Sequence, residues 1–198
     1  MNVASRTRVA ILISGRGSNM QALIEAARAA DYPGEVVLVV SSRGDAPGLS
    51  VAREAGVATV VVDHVRFRRE NRDREAYDAE LHHELTKANI GFVCLAGFMR
   101  ILSDGFVRKW EGRIVNIHPS LLPAFRGLKP QAQALAAGVK VSGCTVHYVV
   151  PELDAGPSIA QAEVPVLPDD TEATLSARIL EAEHTLYPQA LKTALSRL

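Results

Sequence analysis

Three short polar segments of the sequence carry the side chains best suited to chemistry. The first is the turn Ser14–Asn19 (SGRGSN), which follows an apolar run and precedes a helical pattern. Backbone N–H groups at a helix start, with glycines that permit close approach, bind anions. The turn lacks the Gly-Lys-Ser/Thr of a Walker loop, and Met20 occupies the place of the third glycine of a dinucleotide fingerprint. A single phosphate, as on a sugar phosphate, fits better; an ordinary strand-to-helix turn is the alternative.

The second segment, Asn116–Ser120 (NIHPS), ends a predicted strand. Open parallel sheets place ligands at the carboxyl ends of their strands. Asn116 and His118 are two residues apart, so their side chains point to the same side of the strand. The asparagine offers an N–H donor to a developing oxyanion, and histidine carries protons near neutral pH. The alternative is a turn asparagine and a histidine whose hydrogen bonds serve only the structure.

The third segment, Glu152–Pro157 (ELDAGP), places Asp154 next to a Gly-Pro pair. Such a carboxylate commonly builds a turn. The segment also joins two predicted strands of one sheet, so it could return to His118. An aspartate beside that histidine would orient the ring and favour the imidazolium form. Spacing alone leaves both interpretations open.

The elements that would position these segments alternate between apolar strands and amphipathic helices. The predicted strands of the first part are Val9–Ile13, Glu35–Ser41, Thr59–Val62, Phe92–Leu95 and Ile114–Ile117. The predicted helices between them are Asn19–Ala30, Gly48–Ala55, Arg69–Ala88 and Ser103–Trp110. This alternation predicts an α/β fold whose mostly parallel sheet has helices on both faces.

The pattern changes after Pro119. Two further strands, Val141–Val149 and Ile159–Val166, are expected to form an antiparallel C-terminal portion of the sheet. A last helix is predicted to start near Asp169–Glu172, where Asp169 and Glu172 have the spacing of a capping box. Pro188 should kink or end this helix. No repeat or linker is visible, so a single domain over residues 1–198 is expected.

Composition narrows the function. With 22 basic and 22 acidic residues among 198, the chain lacks the basic excess of a general nucleic-acid binder. Cys94 and Cys144 lie far apart in apolar runs, so neither a disulfide scaffold nor a paired-cysteine zinc site is expected, and no metal-binding motif is present. The apolar runs are too short to span a membrane, and Met1–Arg8 shows no secretory signal. A cytoplasmic location is the simplest expectation.

Four motifs in order give a specific resemblance: SGRGSN (14–19), AGFMRIL (96–102), NIHPSLLP (116–123) and ELDAGP (152–157). From about Val9 to Pro188, the sequence resembles the folate-dependent formyltransferase family, in particular the phosphoribosylglycinamide formyltransferases, or glycinamide ribonucleotide transformylases, of purine synthesis. The resemblance implies a single-domain, Rossmann-like formyltransferase fold. It also implies transfer of a formyl group from 10-formyltetrahydrofolate to the amino group of glycinamide ribonucleotide.

The resemblance also assigns roles to individual residues. The implied catalytic residues are Asn116, His118 as proton donor, and Asp154 as the carboxylate that favours the protonated histidine. The implied ribonucleotide-binding residues are Gly17, Ser18 and Asn19 at the phosphate and Glu183 near the glycinamide end. The implied folate-binding residues are Arg74, Met99, Arg100, Ile101, Leu102 and Asn116. The expected partners are these two small molecules, with no nucleic acid, membrane or metal, and the chain is expected to be a monomer or homodimer.

Three alternatives remain open at this point. Gly143–Pro157 partly resembles formyltetrahydrofolate deformylase, a hydrolase that uses the same asparagine, histidine and aspartate with water as acceptor. PAFRG (123–127) partly resembles methionyl-tRNA formyltransferase, which neutral charge fits poorly. A catalytically silent folate- or sugar-phosphate-binding module is the third. The phosphate turn argues against the hydrolase, and the presence of Asn116, His118 and Asp154 argues against the silent module.

Overall fold

The computed structural model describes residues 6–198, and within them the chain builds one seven-stranded sheet. The strands are β1 (Thr7–Ile13), β2 (Gly34–Ser41), β3 (Ala58–Val61), β4 (Phe92–Leu95), β5 (Ile114–His118), β6 (Val141–Tyr148) and β7 (Ser158–Pro165). Their spatial order is β3-β2-β1-β4-β5-β6-β7. The first five strands pair in parallel, while β6 and β7 join antiparallel. The predicted mostly parallel sheet with an antiparallel C-terminal portion is confirmed.

Helices cover both faces of the sheet. Across residues 6–198 they are α1 (Ser18–Ala26), α2 (Gly48–Glu54), α3 (His64–Arg69), α4 (Arg74–Lys87), α5 (Asp104–Lys109), α6 (Pro130–Ala136) and α7 (Glu172–Leu195). Alternate residues of β1 enter two separate apolar cores: Ile11 packs with α1 and α7, and Leu12 with α4 and α5. The central strand is therefore buried on both faces, which explains its unbroken run of branched apolar residues.

The predicted helix Arg69–Ala88 is wrong in its first part, because the chain forms two helices there. Asp63 caps α3 by accepting the Val65 N–H at 2.8 Å, and Asp73 caps α4 by accepting the Ala76 N–H at 2.8 Å. Between the helices Asn71 has φ 53°, outside the helical region. A capping aspartate within a run of charged residues looks like any other charge, so the break was not visible in the pattern.

The last helix differs from prediction at both ends. Its cap is Thr171 rather than Asp169: the Thr171 hydroxyl accepts the Thr174 N–H at 3.2 Å, and the Thr174 hydroxyl accepts the Thr171 N–H at 2.9 Å. Pro188 does not end the helix, which continues to Leu195 because its buried face carries on beyond the proline. In addition, α1 ends at Ala26 rather than at Ala30, and α6 was not predicted.

Met1–Ser5, and with them most of the segment inspected for a secretory signal, lie outside the described residues. Among residues 6–198, no helix combines the length and apolarity needed to cross a bilayer.

Candidate active site

A crevice opens where the chain order reverses in the sheet. β1 and β4 are neighbours, but the chain leaves β1 towards β2 and leaves β4 towards β5, on opposite sides. Such a switch point places ligands beyond the carboxyl ends of the strands. The loop Gly15–Asn19 after β1 and the residues Ala96 and Gly97 after β4 line a cavity of about 160 Å³. The predicted phosphate turn therefore forms one wall of the crevice.

The phosphate turn has the backbone geometry of an anion site. Gly17 precedes α1 with φ 76°, and no side chain caps the helix start. A Cβ atom at Gly17 would lie 3.0 Å from the Met20 Cε atom and 3.2 Å from the Gly48 Cα atom, so the position has room only for glycine. The N–H groups at the start of α1, which include those of Ser18 and Asn19, remain available to an anion.

The last helix reaches this turn through one buried contact. The Asn19 amide donates to the Glu183 carboxylate at 2.6 Å, and both residues are buried. Burial raises the pKa of Glu183, and the bond from Asn19 opposes that change. The Asn19 Oδ1 atom is buried without a partner in the described structure. The structure thus brings together Asn19 and Glu183, the residues that the resemblance assigns to the ribonucleotide.

Asn116, His118 and Asp154 also converge. Asn116 and His118 lie on β5, and Asp154 lies in the loop between β6 and β7. The His118 Nδ1 atom is 3.4 Å from the Asp154 Oδ2 atom, and each side chain is 7% exposed. On the other side of the ring, the Nε2–H of His118 donates to the Phe125 carbonyl oxygen at 2.9 Å. The ring is therefore held with its Nδ1 edge towards the carboxylate.

The aspartate is held by the loop that follows β5. The Gly127 N–H donates to the Asp154 Oδ2 atom at 2.9 Å, and Asp154 itself has φ 50°. The Arg126 guanidinium lies 3.2 Å from the Glu152 carboxylate and joins the same two loops at the surface. The Asp154 carboxylate is therefore held in place by a backbone N–H while it faces the His118 ring.

Sequence reasoning missed His147, which lies on β6 directly opposite Asn116. The His147 Nδ1 atom is 2.9 Å from the Tyr148 carbonyl oxygen, which only accepts, so Nδ1 carries the proton. The Nε2 atom is therefore the acceptor for the Asn116 amide at 3.3 Å. Burial lowers the pKa of His147, and the negative charge of Asp154, 3.8 Å away, opposes this change more weakly. The lowered pKa favours the neutral ring.

The orientation of Asn116 follows from this contact. One N–H of its amide bonds to His147, so the amide nitrogen rather than the oxygen faces that side, and the second N–H remains as a donor. The only sequence signal for His147 is a histidine in an alternating strand. Its opposition to Asn116 depends on the register of β6, which spacing does not give.

The segment Ala96–Ser103 between β4 and α5 has no regular secondary structure. Met99 and Ile101 are 68% and 66% exposed, whereas Leu102 is buried. The Arg100 guanidinium lies 5.9 Å from the centre of the Tyr77 ring on α4. Arg74 starts α4 one turn before Asp78, which accepts the Ser103 N–H at 2.6 Å. Residues 99–102 thus follow directly after Gly97, which lines the crevice, and the chain is bonded to α4 just beyond them.

Comparison with known proteins decides the family. The family model described as formyl transferase matches residues 7–191. The chain belongs to the formyl transferase family. It is 54% identical over 188 residues to the trifunctional purine biosynthetic protein adenosine-3 of Drosophila melanogaster, a match that covers 94% of this chain and 14% of that protein. The chain therefore spans about a seventh of the length of that relative.

Two further relatives are similar to this chain over most of their own length. The phosphoribosylglycinamide formyltransferase of Escherichia coli strain K12 is 48% identical over 180 residues, which cover 91% of this chain and 83% of that protein. The crystal structure of phosphoribosylglycinamide formyltransferase from Brucella melitensis superimposes with a TM-score of 0.91 at 49% identity, covering 97% of both chains. The expected Rossmann-like formyltransferase fold is confirmed.

The two cysteines of this chain lie in its apolar core. Cys94 and Cys144 are buried and free, and burial raises the pKa of Cys144 to about 12, so neither is a ready nucleophile. Across residues 6–198, no group of three or more His, Cys, Asp or Glu side chains is arranged to hold a metal ion.

Proposed function

We propose that this chain transfers the formyl group of 10-formyltetrahydrofolate to the amino group of glycinamide ribonucleotide, in de novo purine biosynthesis. The observation that carries the proposal is the convergence of Asn116, His118 and Asp154 at β5. This strand pairs with β4, and the residues that follow β4 line the crevice together with the uncapped start of α1. The similarity to phosphoribosylglycinamide formyltransferases over nearly the whole chain supports the same substrates.

The ribonucleotide would enter with its phosphate at the start of α1. Gly17, Ser18 and Asn19 would supply backbone N–H groups, and the positive end of the helix favours the phosphate charge. Glu183 would lie near the other end of the ribonucleotide, at the glycinamide group. The glycinamide amine then points along the crevice towards Asn116 and His118.

10-Formyltetrahydrofolate would lie against the segment that follows β4. Exposed Met99 and Ile101 offer apolar surface to its flat rings. The free backbone groups of residues 100–102 suit the donors and acceptors on a pterin edge. Arg74, half exposed at the start of α4, suits the carboxylates of the folate tail.

The reaction needs no covalent enzyme intermediate. The neutral amine attacks the formyl carbon, a new C–N bond forms, and the carbonyl oxygen becomes an oxyanion. The free N–H of Asn116 would donate to that oxyanion, an effect worth about 10²–10³ in rate for one donor, and the positive charge of the protonated His118 ring would stabilise it further. The oxyanion then collapses, the bond to N10 of the folate breaks, and N10 takes up a proton. His118 and Asp154 would carry the proton from the attacking nitrogen to N10.

The test is turnover of purified protein with 10-formyltetrahydrofolate, with and without glycinamide ribonucleotide. Ribonucleotide-dependent formation of tetrahydrofolate and of the formylated ribonucleotide supports the proposal. Deformylation without the ribonucleotide would instead indicate a formyltetrahydrofolate deformylase. Absence of turnover with both substrates, while they still bind, would indicate a non-catalytic module.

We further propose that one domain, as a monomer or homodimer in the cytoplasm, carries out this reaction. The two unpaired cysteines fit a reducing compartment. Sedimentation at several protein concentrations tests the oligomeric state.

A further inference from the structure

The folate-facing segment leaves the sheet at a defined point. The Ala96 N–H still donates to the Leu12 carbonyl oxygen at 2.9 Å, as a continuation of the pairing between β1 and β4. One residue later the regular pattern ends, because the Ser14 N–H donates to the Gly97 carbonyl oxygen at 3.2 Å and Gly97 has φ 68°. From Phe98 to Ser103 no strand or helix fixes the backbone.

Two side chains hold this backbone instead, one at each end of residues 99–102. At the start, the Met99 N–H donates to the Ser14 hydroxyl at 2.8 Å. Just past the end, the Ser103 N–H donates to the Asp78 carboxylate at 2.6 Å. Among the described residues, no hydrogen bond reaches the N–H or C=O groups of residues 100–102.

Both anchors are fixed in regular elements. Ser14 directly follows β1, and its hydroxyl also lies 2.7 Å from the Ser42 hydroxyl beyond β2. Asp78 lies on α4 with 3% exposure, in the same buried stripe as Leu81 and Leu85. Burial raises the pKa of Asp78, and its bonds to Ser103 oppose that change. A buried carboxylate in an apolar stripe is costly unless it has a specific partner, and the Ser103 N–H is that partner.

We infer that Ser14 and Asp78 are positioning residues that hold the backbone of residues 99–102 as a fixed row of donors and acceptors for the pteridine edge of the folate cosubstrate. The inference rests on the proposed function, because it concerns how the protein would bind its formyl donor.

A positioning role has a specific kinetic signature. The reacting groups Asn116 and His118 lie on β5, and within residues 6–198 no hydrogen bond joins them to either anchor. Loss of an anchor lets the backbone of residues 99–102 sample other conformations, so folate binding must reorder it. The KM for 10-formyltetrahydrofolate should rise, while kcat and the KM for the ribonucleotide stay near their original values.

The test compares removal of each anchor with a conservative replacement. S14A and D78A should each raise the folate KM about five- to tenfold, the effect of one lost hydrogen bond. S14T keeps a hydroxyl and D78N keeps an acceptor oxygen, so both should restore the KM to within about twofold of the original. S42A is the matched control, because it removes the bond between the two serines and leaves the bond to Met99.

Calorimetric titration of tetrahydrofolate into each variant provides a readout that does not need turnover. We expect S14A and D78A to bind tetrahydrofolate more weakly than S14T, D78N and the original protein. Thermal unfolding checks that each variant is folded. Unchanged folate KM and affinity in folded S14A and D78A, or equal losses for both substrates, would overturn the anchor roles. If the original protein does not turn over, the proposed function fails, and the titration still decides between anchoring and its absence.

Discussion

Replacement of Asp154 by asparagine is the sharpest perturbation of the candidate catalytic group. The change keeps the size of the side chain and an oxygen that accepts the Gly127 N–H, so the loop contact at 2.9 Å is retained. It removes the negative charge that faces His118 Nδ1 at 3.4 Å. The variant therefore tests whether this charge stabilises an imidazolium during proton transfer.

The structure gives the size of the expected effect. For unit charges 3.4 Å apart, Coulomb's law with an effective dielectric constant of about 20 gives about 5 kcal/mol. This is an upper limit, because the asparagine dipole and relaxation of the loop recover part of it. We expect kcat of D154N to fall about 10³-fold, with both KM values within about threefold of the original.

Steady-state turnover with saturating substrates measures the effect, and E152Q is the control. Glu152 lies two residues away in the same loop, but its carboxylate is exposed and pairs with Arg126 at the surface. E152Q should therefore keep kcat within about twofold, because exposed ion pairs contribute little. A kcat for D154N within tenfold of the original, or an equal loss in E152Q, would refute the role of Asp154.

Four further changes follow from the same geometry. His118→Ala should lower kcat about 10²–10³-fold in steady-state assays and leave both KM values nearly unchanged, because it removes the positive charge that would stabilise the oxyanion and the group that would carry the proton; near-normal kcat would contradict this role. His147→Leu should lower kcat at least tenfold in the same steady-state assays, because Asn116 loses the acceptor that orients its amide; a kcat near the original value would contradict this role. Gly17→Val should weaken ribonucleotide binding in calorimetry and spare folate binding, since its backbone has φ 76°; equal losses would indicate misfolding. Glu183→Gln should raise the melting temperature at neutral pH. The pKa of Glu183 is raised in the folded protein, so its ionisation destabilises the fold as pH rises, and glutamine does not ionise. The gain should vanish below a pH of about 4.5, and a gain independent of pH would exclude this cause.

Much of the fold could be predicted from the sequence because its strands carry strong local signals. Residues Val9–Ile13 of β1 are apolar throughout and fully buried. The helix boundaries were harder to predict from the sequence. Asp73 and Thr171 act as caps only because the chain leaves the helical conformation just before them, and that depends on packing rather than on residue type.

The catalytic group was only partly accessible from sequence. Asn116 and His118 share one strand, so their common direction follows from its twofold periodicity. Asp154 is different, because β6 runs antiparallel and its chain leaves at the opposite end of β5, where the Val149 N–H donates to the Ile114 carbonyl oxygen. The loop must therefore fold back over the face that carries the histidine. Its path depends on contacts with Gly127 that no spacing encodes.

The side chains that orient the site share a property, and all of them lie outside the four sequence motifs. His147, Asp78 and Glu183 are buried polar residues on regular elements, each bonded to a residue that the motifs did contain or flank. Each occupies a position where the helical or strand pattern expects an apolar residue, and each would be costly without its partner. A polar residue inside an apolar stripe is thus a sequence signal in its own right. In this fold, such a residue indicates a helix or strand that holds a functional loop. Which loop it contacts can be known only from the three-dimensional structure.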